Sequence, residues 1–417
     1  MKHKILIILC FVLASSPLFS RPQYSILQSY GMKCNYCHFN NQGGGLRTNM
    51  GYLSRKDFGL VKPADIGLGS VYDKVNSTNS FFGDMLLTSL DLRYQNAKWG
   101  PPEKPVRDNM LMQFSPSIAI RPTEWVEFEA FYNLAYPLEL NKRYPGQQDY
   151  SASIYIRPAT WLPSLRVGKF QPTIGQKWDD HTLLVRRSAD PAKSSPIIPD
   201  DYSELGAQLD YEAIDYLSLS AGVFDTKIMS NINVFNAKNY LGEKIPLVKQ
   251  NSLSYVFRAG YFPTIPGINA YLVGTLLYNG GLKDMKLSND YFMTSSLSLN
   301  CGLTEKFALM TEYMHTEKQY ARFTDNFLVQ LDYQPIEPII VYARAEKAIT
   351  NQHRNAKLID TWADNNSWDE YRTNQFVFGS HIILFPGLDL LPEYRIYDRE
   401  SVPGYMSQWT FQLHFYF

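Results

Sequence analysis

Trp409-Thr410-Phe411-Gln412-Leu413-His414-Phe415-Tyr416-Phe417 alternates without a break. Successive side chains of an extended strand face opposite sides. Trp409, Phe411, Leu413, Phe415 and Phe417 therefore share one face, and Thr410, Gln412, His414 and Tyr416 share the other. As the edge of a soluble β-sandwich, this strand would leave its large apolar face in water. As one stave of a membrane barrel, it turns that face to lipid.

The same rhythm runs back through the chain. Leu86, Thr88, Leu90, Leu92 and Tyr94 fall on one side, and Ser89, Asp91, Arg93 and Gln95 on the other. Charges behind an apolar face imply water or polar filling, not a dry core. Alternation returns over 110–121, 125–136, 151–157, 165–171, 202–211, 216–224, 253–262, 269–279, 291–301, 307–316, 326–333, 338–347, 375–384, 388–398 and 409–417. Tight turns at 121–124, 263–267, 334–337 and 385–387 alternate with long polar loops near 137–150, 172–201, 225–251 and 348–372. Short turns at one end and long loops at the other are the pattern of an outer-membrane barrel, with the short end in the periplasm. Strands near ten residues suit a tilted crossing of the hydrocarbon layer. Closure follows because lipid offers an open strand edge no partner. The sequence thus predicts an all-β fold, an antiparallel outer-membrane barrel of about 16 strands over 81–417. The aromatic share of 14%, with 29 tyrosines, fits interfacial girdles on such a barrel.

Met1-Lys2-His3-Lys4, an apolar run from Ile5 to Leu13, and small and polar residues to Ser20 read as a secretory signal over 1–20. No later stretch has the roughly 18 consecutive apolar residues that a membrane helix needs. Lys and Arg number 40 and Asp and Glu 40, a balance that argues against nucleic acid as a partner.

Residues 21–80 carry no period and are too few to bury a core of their own. They hold Cys34-Asn35-Tyr36-Cys37-His38. In an exported chain, C-x-x-C-H is the attachment signal for c-type haem. The two thiols form thioethers to one porphyrin, and His38 is placed to bind the iron as proximal ligand. Zinc would need about four such ligands, and no second C-x-x-C or nearby Cys/His pair exists. The expected cofactor is one covalently attached haem c. Cys10 leaves with the signal, and the isolated Cys301 is expected as a buried thiol in a strand without a role. Gly43-Gly44-Gly45 either lets the backbone pass close to the porphyrin or forms a turn after the motif.

The sixth iron position has several candidates. His181 lies in Trp178-Asp179-Asp180-His181-Thr182, in the third long loop, and Asp179 or Asp180 could orient its ring. In many porins that loop folds inward to narrow the channel, which here would bring it toward a haem held in the lumen. Met50 lies in the haem segment itself and would raise the reduction potential relative to a second His. His381 and His414 fall on the lumen side of late strands, near their periplasmic ends. An open position is the remaining alternative. Arg47 and Lys33 are candidate partners for haem propionates.

An alternating aromatic last strand ending in Phe resembles the C-terminal signal of bacterial outer-membrane proteins. A C-x-x-C-H segment directly before a barrel of this size resembles the fused monohaem cytochrome–porin family of outer-membrane electron conduits, known from iron-oxidising bacteria. The run from Cys37-His38-Phe39 through Gly43-Gly44-Gly45-Leu46-Arg47 is similar to a glycine-rich form in barrel-linked haem proteins. The resemblance implies a haem segment that plugs the barrel and an electron-transfer role. Its expected partners are outer-membrane lipid, a periplasmic c-type cytochrome or other redox carrier, and an extracellular redox species such as iron. No hydrolytic or transferase motif is present. The alternative is a solute-transport porin with a structural or sensing plug, for which Asp91, Arg93 and Glu129 would line the lumen equally well.

Overall fold

In a computed structural model of the chain, the described residues are 38, 46–48, 51, 59–70, 79–99, 105–135, 150–176, 183–189, 197–198, 202–225, 253–265, 268–279, 291–304, 306–318, 322–353, 368–400 and 404–416. Sixteen strands form one closed antiparallel barrel. They are β1 (Leu86–Trp99), β2 (Val106–Thr123), β3 (Val126–Tyr132), β4 (Tyr150–Ile156), β5 (Ser164–Phe170), β6 (Glu204–Tyr211), β7 (Leu217–Asp225) and β8 (Leu253–Tyr261). The second half comprises β9 (Ile268–Asn279), β10 (Phe292–Gly302), β11 (Phe307–Lys318), β12 (Arg322–Ile336), β13 (Ile339–His353), β14 (Trp368–Phe385), β15 (Leu388–Arg399) and β16 (Met406–Tyr416). Each strand pairs with its sequence neighbour. The ring closes where β16 meets β1, with Trp409 opposite Lys98 and Tyr416 opposite Asp91. Two-residue strands, Ser80–Phe81 and Thr264–Ile265, pair back onto β1 and β9.

The alternation decides which face goes where. In β8 the burial alternates residue by residue: Leu253, Tyr255, Phe257, Ala259 and Tyr261 face out, and Ser254, Val256, Arg258 and Gly260 face in. In β16 Trp409, Phe411, Leu413 and Phe415 are exposed, whereas Thr410 is buried. Inside, charged side chains are closed off from water, Arg93 at 3% and Arg395 at 2% exposure. An apolar exterior around a polar interior reverses the soluble arrangement and suits a barrel standing in lipid. Among the described residues, no helix is long and apolar enough to cross a membrane.

The interior charges survive burial because they are paired. Arg166 donates to Glu129 at 2.7 Å and Arg93 to Asp91 at 2.9 Å. Arg344 forms an ion pair with Glu346, nitrogen to oxygen 2.8 Å. Several strands run beyond the bounds read from sequence. The long loop expected over 348–372 is strand at both of its ends, since β13 runs to His353 and β14 begins at Trp368. Asn351 and Gln352, paired with Glu370 and Asp369, keep the ladder with polar residues only, so alternation could not reveal them. Cys301 is a half-buried free thiol in β10, not a fully buried one.

Candidate functional site in the barrel lumen

Among the described residues, two segments enter the space inside the barrel. The first is the connection between β5 and β6. Its described residues run along the inner wall, held by side chains that the strands supply. Thr173 donates to Gln208 on β6 at 3.0 Å, and the Gly175 amide donates to Thr275 on β9 at 2.9 Å. The Gln176 amide donates to Glu312 on β11 at 2.9 Å, and Asn300 on β10 donates to the Gln176 side chain at 3.1 Å. The amides of Leu184 and Val185 share one oxygen of Glu346 on β13, at 2.5 and 3.2 Å. Asn326 on β12 donates to the carbonyls of Leu184, Val185 and Arg187 at 2.9, 2.7 and 2.9 Å. A short 3-10 turn, Leu184–Arg186, presents these groups.

Apolar contacts back this polar clamp. Ile174, Ile197, Ile198 and Tyr202 pack against Phe170, Phe224, Val256, Leu277 and Phe292 on the wall. Leu183 and Val185 pack on Met314 and Leu328, and Leu184 and Ala189 on Ala348. Such dry clusters stabilise the loop in place by excluding water from both surfaces. Gly175 has φ +64°, and a Cβ there would lie 2.6 Å from a Glu312 carboxylate oxygen, so only glycine fits the bend.

The second segment comes from the N-terminal side. Leu46 is buried against Leu87 of β1 and Ala119 of β2, both on the inner face. The Arg47 guanidinium lies over the Tyr416 ring of β16, 5.2 Å from its centre. Its carbonyl accepts from Asn79 at 3.0 Å. Arg47 also forms an isolated antiparallel bridge with His38, which is half-buried. Farther on, the amides of Leu60 and Val61 donate to the carbonyls of Ile383 and Leu384 at the end of β14, at 2.8 and 3.1 Å. These acceptors sit where a register shift between β14 and β15 releases them.

Beside Arg47 the wall carries a continuous array of histidines and carboxylates. The Tyr416 ring packs on His414, centres 4.7 Å apart. His414 Nε2 is 3.1 Å from Asp91 Oδ1, and its Nδ1 is 4.0 Å from Asp389 Oδ2. His381 Nε2 is 2.7 Å from the same Asp389 oxygen. Asp91 is gripped by Arg93 through two nitrogens, at 3.0 and 2.9 Å. Asp389 is 1% exposed, at the foot of β15. Among the described residues, no three His, Cys, Asp or Glu side chains are placed to hold a metal ion.

The sequence candidates fare unevenly. His38 and Arg47 are brought together at the lumen wall. His381 and His414 face the lumen near the short-turn end, as their strand positions required, and each turns its Nε2 to a carboxylate. Cys34, Cys37, Met50, His181, Lys33 and Gly43-Gly44-Gly45 lie outside the described residues. The residues flanking His181 are anchored, Gln176 to β11 and Leu184 to β13. Reading from sequence missed the clamp residues Glu312, Asn326 and Glu346, and Asp389. Their only signal was a polar residue at an inward position, which many neighbours share.

Solved structures share this barrel. Salmonella typhi OmpF in complex with daunomycin is similar at 8% identity, covering 81% of this chain and 99% of its own, with a TM-score of 0.51. A loop-deletion variant of OmpT, an outer-membrane protein of Vibrio cholerae, is similar at 10% identity over 80% of this chain and 99% of its own, with a TM-score of 0.50. The fold is that of a porin-like outer-membrane barrel. Pseudomonas putida OprB covers 87% of this chain at 9% identity, with a TM-score of 0.48. Identities this low speak to fold alone. No family model and no curated protein matches the chain.

Proposed function

We propose that this porin-like barrel carries one haem c on its N-terminal segment and passes electrons, not solutes, across the outer membrane. Cys34 and Cys37 would hold the porphyrin and His38 its iron. The donor set suits that group: two thiols at the attachment spacing, with an imidazole next in sequence. The observation that carries the reading is the seat of this segment. His38 is bridged to Arg47, and Leu46 and Arg47 rest on the inner wall rather than outside the barrel. Bound there, the group supplies reversible one-electron chemistry at its iron. The chain's own residues do the rest. Leu46, Leu87 and Ala119 exclude water on one side, Arg47 offers donors suited to carboxylates, and the clamped loop narrows the opposite part of the lumen. A hydrocarbon layer of about 30 Å is wider than one haem, so an extracellular redox species such as ferrous iron would serve one face and a periplasmic carrier the other.

A second reading has its own support. The similar solved folds include porins, and the paired charges on the inner wall suit polar solutes. On that reading the N-terminal segment is a structural or sensing plug. Liposomes with an enclosed electron acceptor separate the two. External ferrous iron or dithionite should reduce the acceptor without leakage of a small sugar. Leakage without reduction selects the transport porin.

A further inference from the structure

Several charged side chains on the outer, lipid-facing wall have a partner in the protein. Arg372 pairs with Glu370 and His315 with Asp325, and the Lys169 ammonium lies 3.8 Å from the centre of the Tyr150 ring. Lys98 of β1 and Arg107 of β2 differ. They are direct cross-strand partners, both exposed, close to the long-loop ends of their strands. Among the described residues, neither meets a carboxylate. Asp108, next in sequence to Arg107, falls on the inner face opposite Ala97. Side chains directly opposite stand close together, and like charges there destabilise the strand pair. An anion lying between the two cationic ends removes that repulsion and gains a charge-assisted contact from each.

The wall beneath the pair says which anion. One step down the same face, Asn96 donates to Asn109 at 2.5 Å, an exposed amide pair. Trp409 of β16 flanks Lys98, and Phe411 flanks Asn96. Both rings are about half exposed, at 49% and 47%. From the rim downward the surface therefore runs cation, amide, apolar ring. An anionic lipid presents its groups in the same order: phosphate, polar linkage, acyl chain. A free ion would satisfy the cations and leave the rings uncovered. Long loops mark the extracellular end of such a barrel, so this face stands in the outer leaflet. We propose that Lys98 and Arg107, with the amides and rings below them, form a docking surface for a phosphorylated, acylated glycolipid of that leaflet. The inference rests on the barrel alone and not on the haem reading.

The test uses the full chain in nonionic detergent, with EDTA present so that no divalent cation bridges lipid phosphate to a carboxylate. Native mass spectrometry follows retention of lipid A, a phosphorylated and acylated glycolipid, as it is titrated. The wild type should retain it. Lys98→Gln and Arg107→Gln should each weaken retention about fivefold, and the double variant about thirtyfold. Lys347→Gln, which removes a lone exposed lysine from the outer wall of β13, should leave it unchanged. Dephosphorylated lipid A should not be retained, and excess inorganic phosphate should not displace the intact lipid. Heat-modifiable migration on gels verifies that each variant is a folded barrel, and the single variants suffice if the double is not. The temperature at which that migration changes gives a second readout. Lipid A should raise it in the wild type and not in the double variant. Without lipid the double variant should be the more heat-resistant, its repulsion gone. No retention by the wild type, equal retention by the double variant, or equal loss in Lys347→Gln overturns the inference. Retention of the dephosphorylated lipid, or displacement by inorganic phosphate, overturns it as well.

Discussion

The two segments inside the barrel are held in contrasting ways. The β5–β6 connection brings backbone amides and carbonyls, and the wall supplies the anchors: Glu312, Asn326, Glu346 and Thr350. Among the described residues, the N-terminal pieces bring Leu46 and Arg47 to a ring and two apolar surfaces of the wall, and the Leu60 and Val61 amides to two β14 carbonyls. Encoding the first in the barrel makes the loop part of the wall. Encoding the second in the segment leaves its seat dependent on few side chains and, on the proposed reading, on the haem that Cys34, Cys37 and His38 would hold.

The largest effect should come from the segment's own chemistry. Replacing Cys34 and Cys37 together with Ala should abolish covalent haem, read as loss of peroxidase-type haem staining on a denaturing gel, while the barrel remains heat-modifiable. If the barrel collapses as well, the contrast between independent wall and dependent segment is broken. Next comes Glu346→Ala. It strips an acceptor from two loop amides and leaves Arg344 buried beside an empty position, so about 3–5 kcal/mol of stability should be lost in denaturant unfolding from bicelles. Leu46→Ala should weaken the N-terminal seat by about 2 kcal/mol, read as faster proteolysis of the segment with barrel unfolding unchanged. Tyr416→Leu removes the ring under Arg47 and should cost about 1 kcal/mol by the same assay. Arg372→Gln breaks an exposed pair with Glu370 and should change stability by under about 0.5 kcal/mol.

How much of this the sequence disclosed follows from where side-chain chemistry alternates. All sixteen strands were legible because lipid outside and polar contacts inside impose a period of two. The extensions of β13 and β14 were not, since Asn351, Gln352, Asp369 and Glu370 are a run of polar residues with no apolar partner to alternate with. Inward histidines were legible from their strand positions, as His381 and His414 illustrate. Their partners were not, because Asp389 and Asp91 reach them across strand registers and, for β16 with β1, across the closure of the whole chain. The inward fold of the third loop was expected. Its fixing points were not, because polar residues on an inner wall look alike until a loop selects among them.

The central claim concerns the tethered porphyrin, and one measurement meets it directly. The full chain should be produced in a host with cytochrome c maturation, recovered from the outer membrane, and examined by pyridine haemochrome spectrum and intact mass. One c-type haem per chain, with the mass raised by a single porphyrin iron, is the expected result. Colourless outer-membrane protein of unmodified mass would contradict the account and leave a transport barrel in its place.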